Sequence, residues 1–194
     1  MGAILGIWSW FLTTWIRIGE GFLPPTIHPM LVHFPIALLY ACLFIELLGR
    51  ITQPRDRFYD RVSFWLLILS FLAGVAAAAA GVISEQYVRW TPATFALLSA
   101  HQRDAILTGV FLLAAIGARL VGRYGGNSRW SSNRPSGAWS AWGSGRGRPT
   151  GLSLVLLVAA VVMISVTGTL GGSMVYHYGV GVHGVSFRKT PPRP

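Results

Sequence analysis

Four stretches of this chain are apolar over roughly twenty residues or more and carry few charges: about Pro29–Gly49, Val62–Ser84, His101–Val121 and Leu152–Tyr176. As helices rising about 1.5 Å per residue, each is long enough for a hydrocarbon core of about 30 Å. A chain crossing lipid must satisfy its backbone hydrogen bonds internally, so runs of this length become helices. Only 11% of the 194 residues are charged, whereas soluble domains carry about 25%. The pattern predicts an all-α integral membrane bundle of four core transmembrane helices. The formal charge of +10 would suggest nucleic acid in a soluble protein. Here the arginines fall between the apolar stretches, where membrane orientation explains them, and no nucleic-acid partner is expected. The single cysteine, Cys42, lies inside an apolar stretch, so no internal disulfide is available.

The segments outside the four spans differ in kind. Residues 1–25 form a Trp-rich apolar helix with Trp8, Trp10 and Trp15. Its apolar part, Ala3–Ile18, suits either a short spanning helix or one lying in the interface, where Trp is favoured. Residues 26–122 hold the first three core spans, 151–183 the fourth and 184–194 a tail. Residues 123–150, rich in Gly, Ser, Pro and Arg, read as a basic linker. Pro29 suits a first helical turn, and Pro35 should kink the first span or free a carbonyl near His33. Thr91-Pro92 reads as an N-cap and first-turn proline from which a helix runs into the third span. Ala76–Ala80, flanked by Gly74 and Gly81, and the pair Gly168 and Gly172 are packing faces where helices approach closely. No repeat of 20 to 50 residues is visible.

Loops after the first and third spans carry Arg50, Arg55, Arg57 and Arg61, and Arg123, Arg129, Arg134, Arg146 and Arg148. By the positive-inside rule they are cytoplasmic, and the linker with them. All five histidines, His28, His33, His101, His177 and His183, then share the opposite, outer face. Helical rise places His28, His33 and His101 at the bilayer boundary, with His177 and His183 more superficial. Histidine is costly in hydrocarbon and is a common haem and metal ligand. A bis-histidine b-haem needs imidazoles from two helices, which His101 supplies with either His28 or His33. The same three imidazoles are the candidate ligands for a metal ion. Arg89 and Arg103 lie on that side as candidate partners of haem propionates. Asp104 either orients His101, pairs with Arg103 or faces solvent. Glu46 and Arg50, four apart, read as a boundary salt bridge. No buried charge in mid-membrane is expected, which leaves a transporter little to work with.

The run I-H-P-M-L-V-H-F-P-I-A-L-L, the histidine opening the third span and the closing G-G-S-M-V-Y-H-Y-G-V-G-V resemble a bacterial membrane-protein family, domain of unknown function 2231. The resemblance covers about Thr26–His183 and implies a four-helix membrane protein. Some members are similar to, or fused with, cytochrome c or Rieske modules, which implies membrane electron transfer and carries to His28, His33 and His101. Members often place a histidine where this chain has Tyr178, a departure that weakens a ligand role for His177. The expectation is therefore a multi-pass protein of the bacterial inner membrane. It would bind haem b as an electron-transfer subunit beside other membrane or periplasmic redox subunits. The alternative is a cofactor-free structural or docking subunit of a respiratory or photosynthetic complex. Either role is non-catalytic.

Overall fold

The computed structural model describes residues 2–24, 26–52, 58–124 and 151–182. The tail histidine His183 and most of the basic linker lie outside the described residues. The helices are α1 (Gly2–Phe22), α2 (Ile27–Leu31), α3 (His33–Thr52), α4 (Phe58–Ser84), α5 (Pro92–Tyr124) and α6 (Gly151–Tyr178), with a 3-10 turn at Glu85–Tyr87. Four helical stretches are long and apolar enough to cross a membrane: Ile27–Thr52, Phe58–Tyr87, Pro92–Gly122 and Gly151–Tyr178. The N-terminal helix α1 is additional to these.

Local chemistry explains the helix boundaries. Pro35 has no N–H to offer the carbonyl of Leu31, and the first span breaks at Val32, between α2 and α3. The chain still bridges the break, with Val32 N–H on His28 O at 3.1 Å and Ile36 N–H on Val32 O at 3.4 Å. Helix α5 starts at Pro92 beneath a reciprocal cap: Thr94 N–H donates to Thr91 Oγ1 at 3.3 Å and Thr91 N–H to Thr94 Oγ1 at 2.9 Å. It runs without interruption through the third span. Helix α6 stops at Tyr178 because Gly179 takes a left-handed φ of 65°. Val180 N–H then closes on Met174 O at 3.0 Å, a Schellman-type ending.

The four spans form two hairpins. Helices α3 and α4 pack closely together, α5 and α6 likewise, and contacts between the pairs, α3 on α6 and α4 on α5, are sparser. At the centre Leu39, Cys42, Leu67, Leu112, Ala115, Leu157 and Ala160 make one buried cluster. In lipid this interior is held by close packing rather than by escape from water, which favours small residues at the contacts. Ser70 is buried there without cost because its hydroxyl donates to Leu66 O at 2.8 Å.

Helix α1 leans on the far half of α4. Gly19 packs on Ile83, where a Cβ would stand 2.3 Å from the Ile83 Cδ1. Trp15 Nε1 donates to Ala79 O at 3.1 Å, and Tyr87 Oη to Glu20 O at 3.1 Å. Residue numbers rise together along both helices, so α1 runs parallel to α4. Outside that contact it is bare: Ile7, Trp8, Trp10 and Phe11 are all more than half exposed.

Candidate functional site

The two hairpins meet, at the end where α4 and α6 finish, through a pair of histidines. His28 sits in α2, where its ring lies against α4; its Nδ1 is 2.8 Å from Ala77 O. His101 projects from α5 onto α6, its Nδ1 2.9 Å from Thr167 O. A carbonyl only accepts, so each Nδ1 carries the proton. In neutral imidazole the other nitrogen, Nε2, then holds a free lone pair. Among the described residues neither Nε2 has a hydrogen-bond partner. The ring centres are 6.2 Å apart and the planes stand at 84°.

Each ring is seated by a glycine one turn beyond the carbonyl that orients it. A Cβ at Gly81 would stand 3.1 Å from His28 Nδ1, and one at Gly171 3.4 Å from His101 Cε1. Gly81 belongs to a packing face expected of the sequence, whereas Gly171 lies outside the expected pair Gly168 and Gly172. Gly74 and Gly168 have nothing within 4 Å of a built Cβ, and Gly172 only Tyr176. Gly81 instead makes room for imidazole, and Gly171 lies against the other ring at ordinary contact distance.

Other expected site residues fall around this pair without joining it. His33 is exposed and makes no ring contact with either histidine. Among the described residues no group of three or more His, Cys, Asp or Glu stands close enough to hold a metal ion. The three imidazoles are therefore not gathered into one cluster. Arg89 is exposed. Arg103 is exposed too, and its Nε is engaged by Asp104 Oδ1 at 2.9 Å. Asp104 is buried, but the Thr167 carbonyl, not Asp104, hydrogen-bonds the His101 ring. His177 lies exposed in the last turn of α6.

A second constellation, at the opposite end, buries charge near the helix ends, outside the mid-membrane zone where none was expected. Glu46 and Arg119 are 3% and 2% exposed. Arg119 Nη2 pairs with Glu46 Oε2. Arg119 Nη1 donates to Ser63 Oγ at 2.9 Å and its Nε to Ser153 Oγ at 3.0 Å. Ser63 Oγ donates to Glu46 Oε2 at 3.0 Å. Arg50 stands at the rim, its Nη2 2.9 Å from Glu46 Oε1, so the expected boundary pair exists as the outer part of a larger network. Its buried part takes one side chain from each of α3, α4, α5 and α6, namely Glu46, Ser63, Arg119 and Ser153. Burying such a group is tolerable only because the charges are paired and Arg119 hydrogen-bonds both serines, although Glu46 Oε1 and Arg50 Nη2 meet as an ion pair without a hydrogen bond. Arg119 carried no signal in the sequence because it sits six residues from the end of its helix, where snorkelling to the interface is the ordinary reading.

Fold and sites together define a multi-pass helical membrane protein built from two hairpins, with an imidazole pair at one end and a buried ion pair at the other. The family model for "Predicted membrane protein (DUF2231)" matches residues 24–184. The chain belongs to that family, as the sequence motifs suggested, and α1 lies entirely outside the match. Comparison with curated proteins and with solved structures finds no match in either.

Proposed function

We propose that this protein is a b-haem-binding electron-transfer subunit of the bacterial inner membrane, in which His28 and His101 would hold the haem. The observation that carries the reading is the imidazole pair: two rings from different hairpins, each with Nδ1 fixed by a backbone carbonyl and Nε2 free. Such a carbonyl fixes the tautomer and aim of a ligating histidine. The spacing also fits. Metal–nitrogen bonds of about 2 Å on both sides of one metal, with about 1 Å from each Nε2 to its ring centre, separate the ring centres by about 6 Å. The observed separation is 6.2 Å. Contacts across the seam between the hairpins are sparser than those within each hairpin, and a flat macrocycle would enter there. His33 is left out, which favours His28 as the partner of His101.

In this role the chain holds and orients the imidazoles and surrounds the site with low dielectric. The haem would supply the one-electron chemistry. Arg89, exposed on this side, is the better placed of the two arginines to meet a propionate, since Arg103 is already drawn to Asp104. A site confined to one end does not span the bilayer, so an electron partner of cytochrome c or Rieske type, or a larger membrane complex, is required. The exposed aromatic flank of α1, outside the family match, supports a second reading as a docking subunit, and the two are compatible.

The test is a reduced-minus-oxidised spectrum of detergent-solubilised protein expressed with haem supply. Soret and α bands of a low-spin b-haem should appear, be lost in His28→Ala and in His101→Ala, and persist in His33→Ala. No bands in the parent protein, or bands surviving the double variant of His28 and His101, sinks the reading.

A further inference from the structure

The two hairpins correspond residue by residue. A shift of 73 residues carries His28 to His101, Leu39 to Leu112, Cys42 to Ala115 and Glu46 to Arg119. It also carries Leu47, Gly49 and Arg50 to Leu120, Gly122 and Arg123, so that E-L-L-G-R matches R-L-V-G-R. In the returning helices a shift of 90 carries Ser63 to Ser153, Leu67 to Leu157, Ala77 to Thr167 and Gly81 to Gly171. The 17 extra residues fall between the helices of the second hairpin, where the basic linker stands. That insertion, and a unit longer than 50 residues, hide the repeat from a search at fixed short period.

Matching burial alone would prove little, since any two packed helices bury residues at helical spacing. The roles match as well. In both hairpins a histidine of the first helix meets a carbonyl of the second, and a glycine four residues past that carbonyl seats the ring. In both, the charged residue of the first helix bonds the serine of the second: Ser63 with Glu46, and Ser153 with Arg119. Contacts across the seam are the two equivalent ones, α3 on α6 and α4 on α5. Most telling, equivalent residues touch each other, His28 with His101 and Glu46 with Arg119. In an isologous pairing, a residue meets its own equivalent only on the two-fold axis. Two such meetings, one at each end, mark that axis along the bundle.

We infer that the chain is two copies of one helical hairpin paired about a pseudo-two-fold axis, and that Glu46 and Arg119 are where the copies diverged to complementary charge. The partner of each hairpin surface is thereby the other half of the same chain. A second copy of the same hairpin would set Glu on Glu or Arg on Arg in a buried site, a repulsion that selects against self-pairing. Resting on the haem reading, the axis also gives the ligand class: a group with two equivalent coordinating faces, one for each half.

Inverting the pair tests the inference. Each position has the same company: serine on the returning helix, and arginine four residues on, Arg50 after Glu46 and Arg123 after Arg119. Glu46→Arg and Arg119→Glu should each lower the folded-to-unfolded ratio by about a thousandfold or more, by setting like charges together where a buried pair stood. Both are to be measured by thermal unfolding of detergent-solubilised protein, with mass from light scattering. The double inversion should recover the parent's mass and monodispersity with most of the parent stability. A double variant no better than the worse single, or single variants that behave like the parent, overturns the inference. Neither readout depends on haem, so this inference and the haem reading fail separately.

Discussion

Replacing each of the two ring-seating glycines by alanine should have opposite outcomes. Alanine in a helix interior is favoured over glycine by about 0.5–1 kcal/mol, because the unfolded chain loses less freedom on ordering. At Gly171 the new Cβ would lie 3.4 Å from His101 Cε1 and 3.7 Å from its Nδ1, ordinary contact distances, so the gain should be kept. At Gly81 it would lie 3.1 Å from His28 Nδ1 and 3.3 Å from Cε1. The ring must then retreat by a few tenths of an ångström from the carbonyl it bonds at 2.8 Å. A net hydrogen bond is worth about 0.5–1.5 kcal/mol, enough to cancel or reverse the helical gain. Gly171→Ala should therefore raise the thermal midpoint in detergent by roughly 1–4 °C, and Gly81→Ala should leave it level or lower it. Equal stabilisation by both alanines would refute the claim that Gly81 is needed for the His28 seat. Gly81→Val should widen the gap, since overpacking typically costs 1–3 kcal/mol.

Arg119→Leu leaves Glu46 buried with only the rim arginine and should cost about 3–5 kcal/mol. Arg50→Ala, removing a partly exposed partner, should cost about 1 kcal/mol or less by the same melt. Gly19→Val should detach α1 from α4, because even a Cβ there meets Ile83 at 2.3 Å. The detachment should appear as a red-shifted Trp fluorescence band with the bundle's helical signal otherwise intact.

Much of the architecture was legible in the residues alone, for definite reasons. Apolar runs of bilayer length leave no choice but spanning helices, and Thr91-Pro92 and Pro35 mark a helix start and a break through properties of single residues. The Glu46–Arg50 pair was readable because it is local, four residues apart on one helix. What escaped was non-local. Arg119 meets Glu46 across 73 residues of chain, and nothing in its own neighbourhood shows it turned inward. The glycine patterns misled for the same reason: a G-x-x-x-G spacing identifies a helix face but not what that face meets, and Gly171, outside the pattern, is the one that touches a ring.

The residues by themselves determined that this is a four-span helical membrane protein of its family. Hydropathy, helical rise and local capping act within single segments and need no knowledge of neighbours. Tertiary structure decided which imidazoles meet, that a buried ion pair joins all four spans, and that two hairpins repeat one plan. These depend on rotation of each helix about its own axis. A rotation of 100° per residue turns a side chain from lipid to interior without changing its depth, and only the packing of one hairpin against the other fixes it.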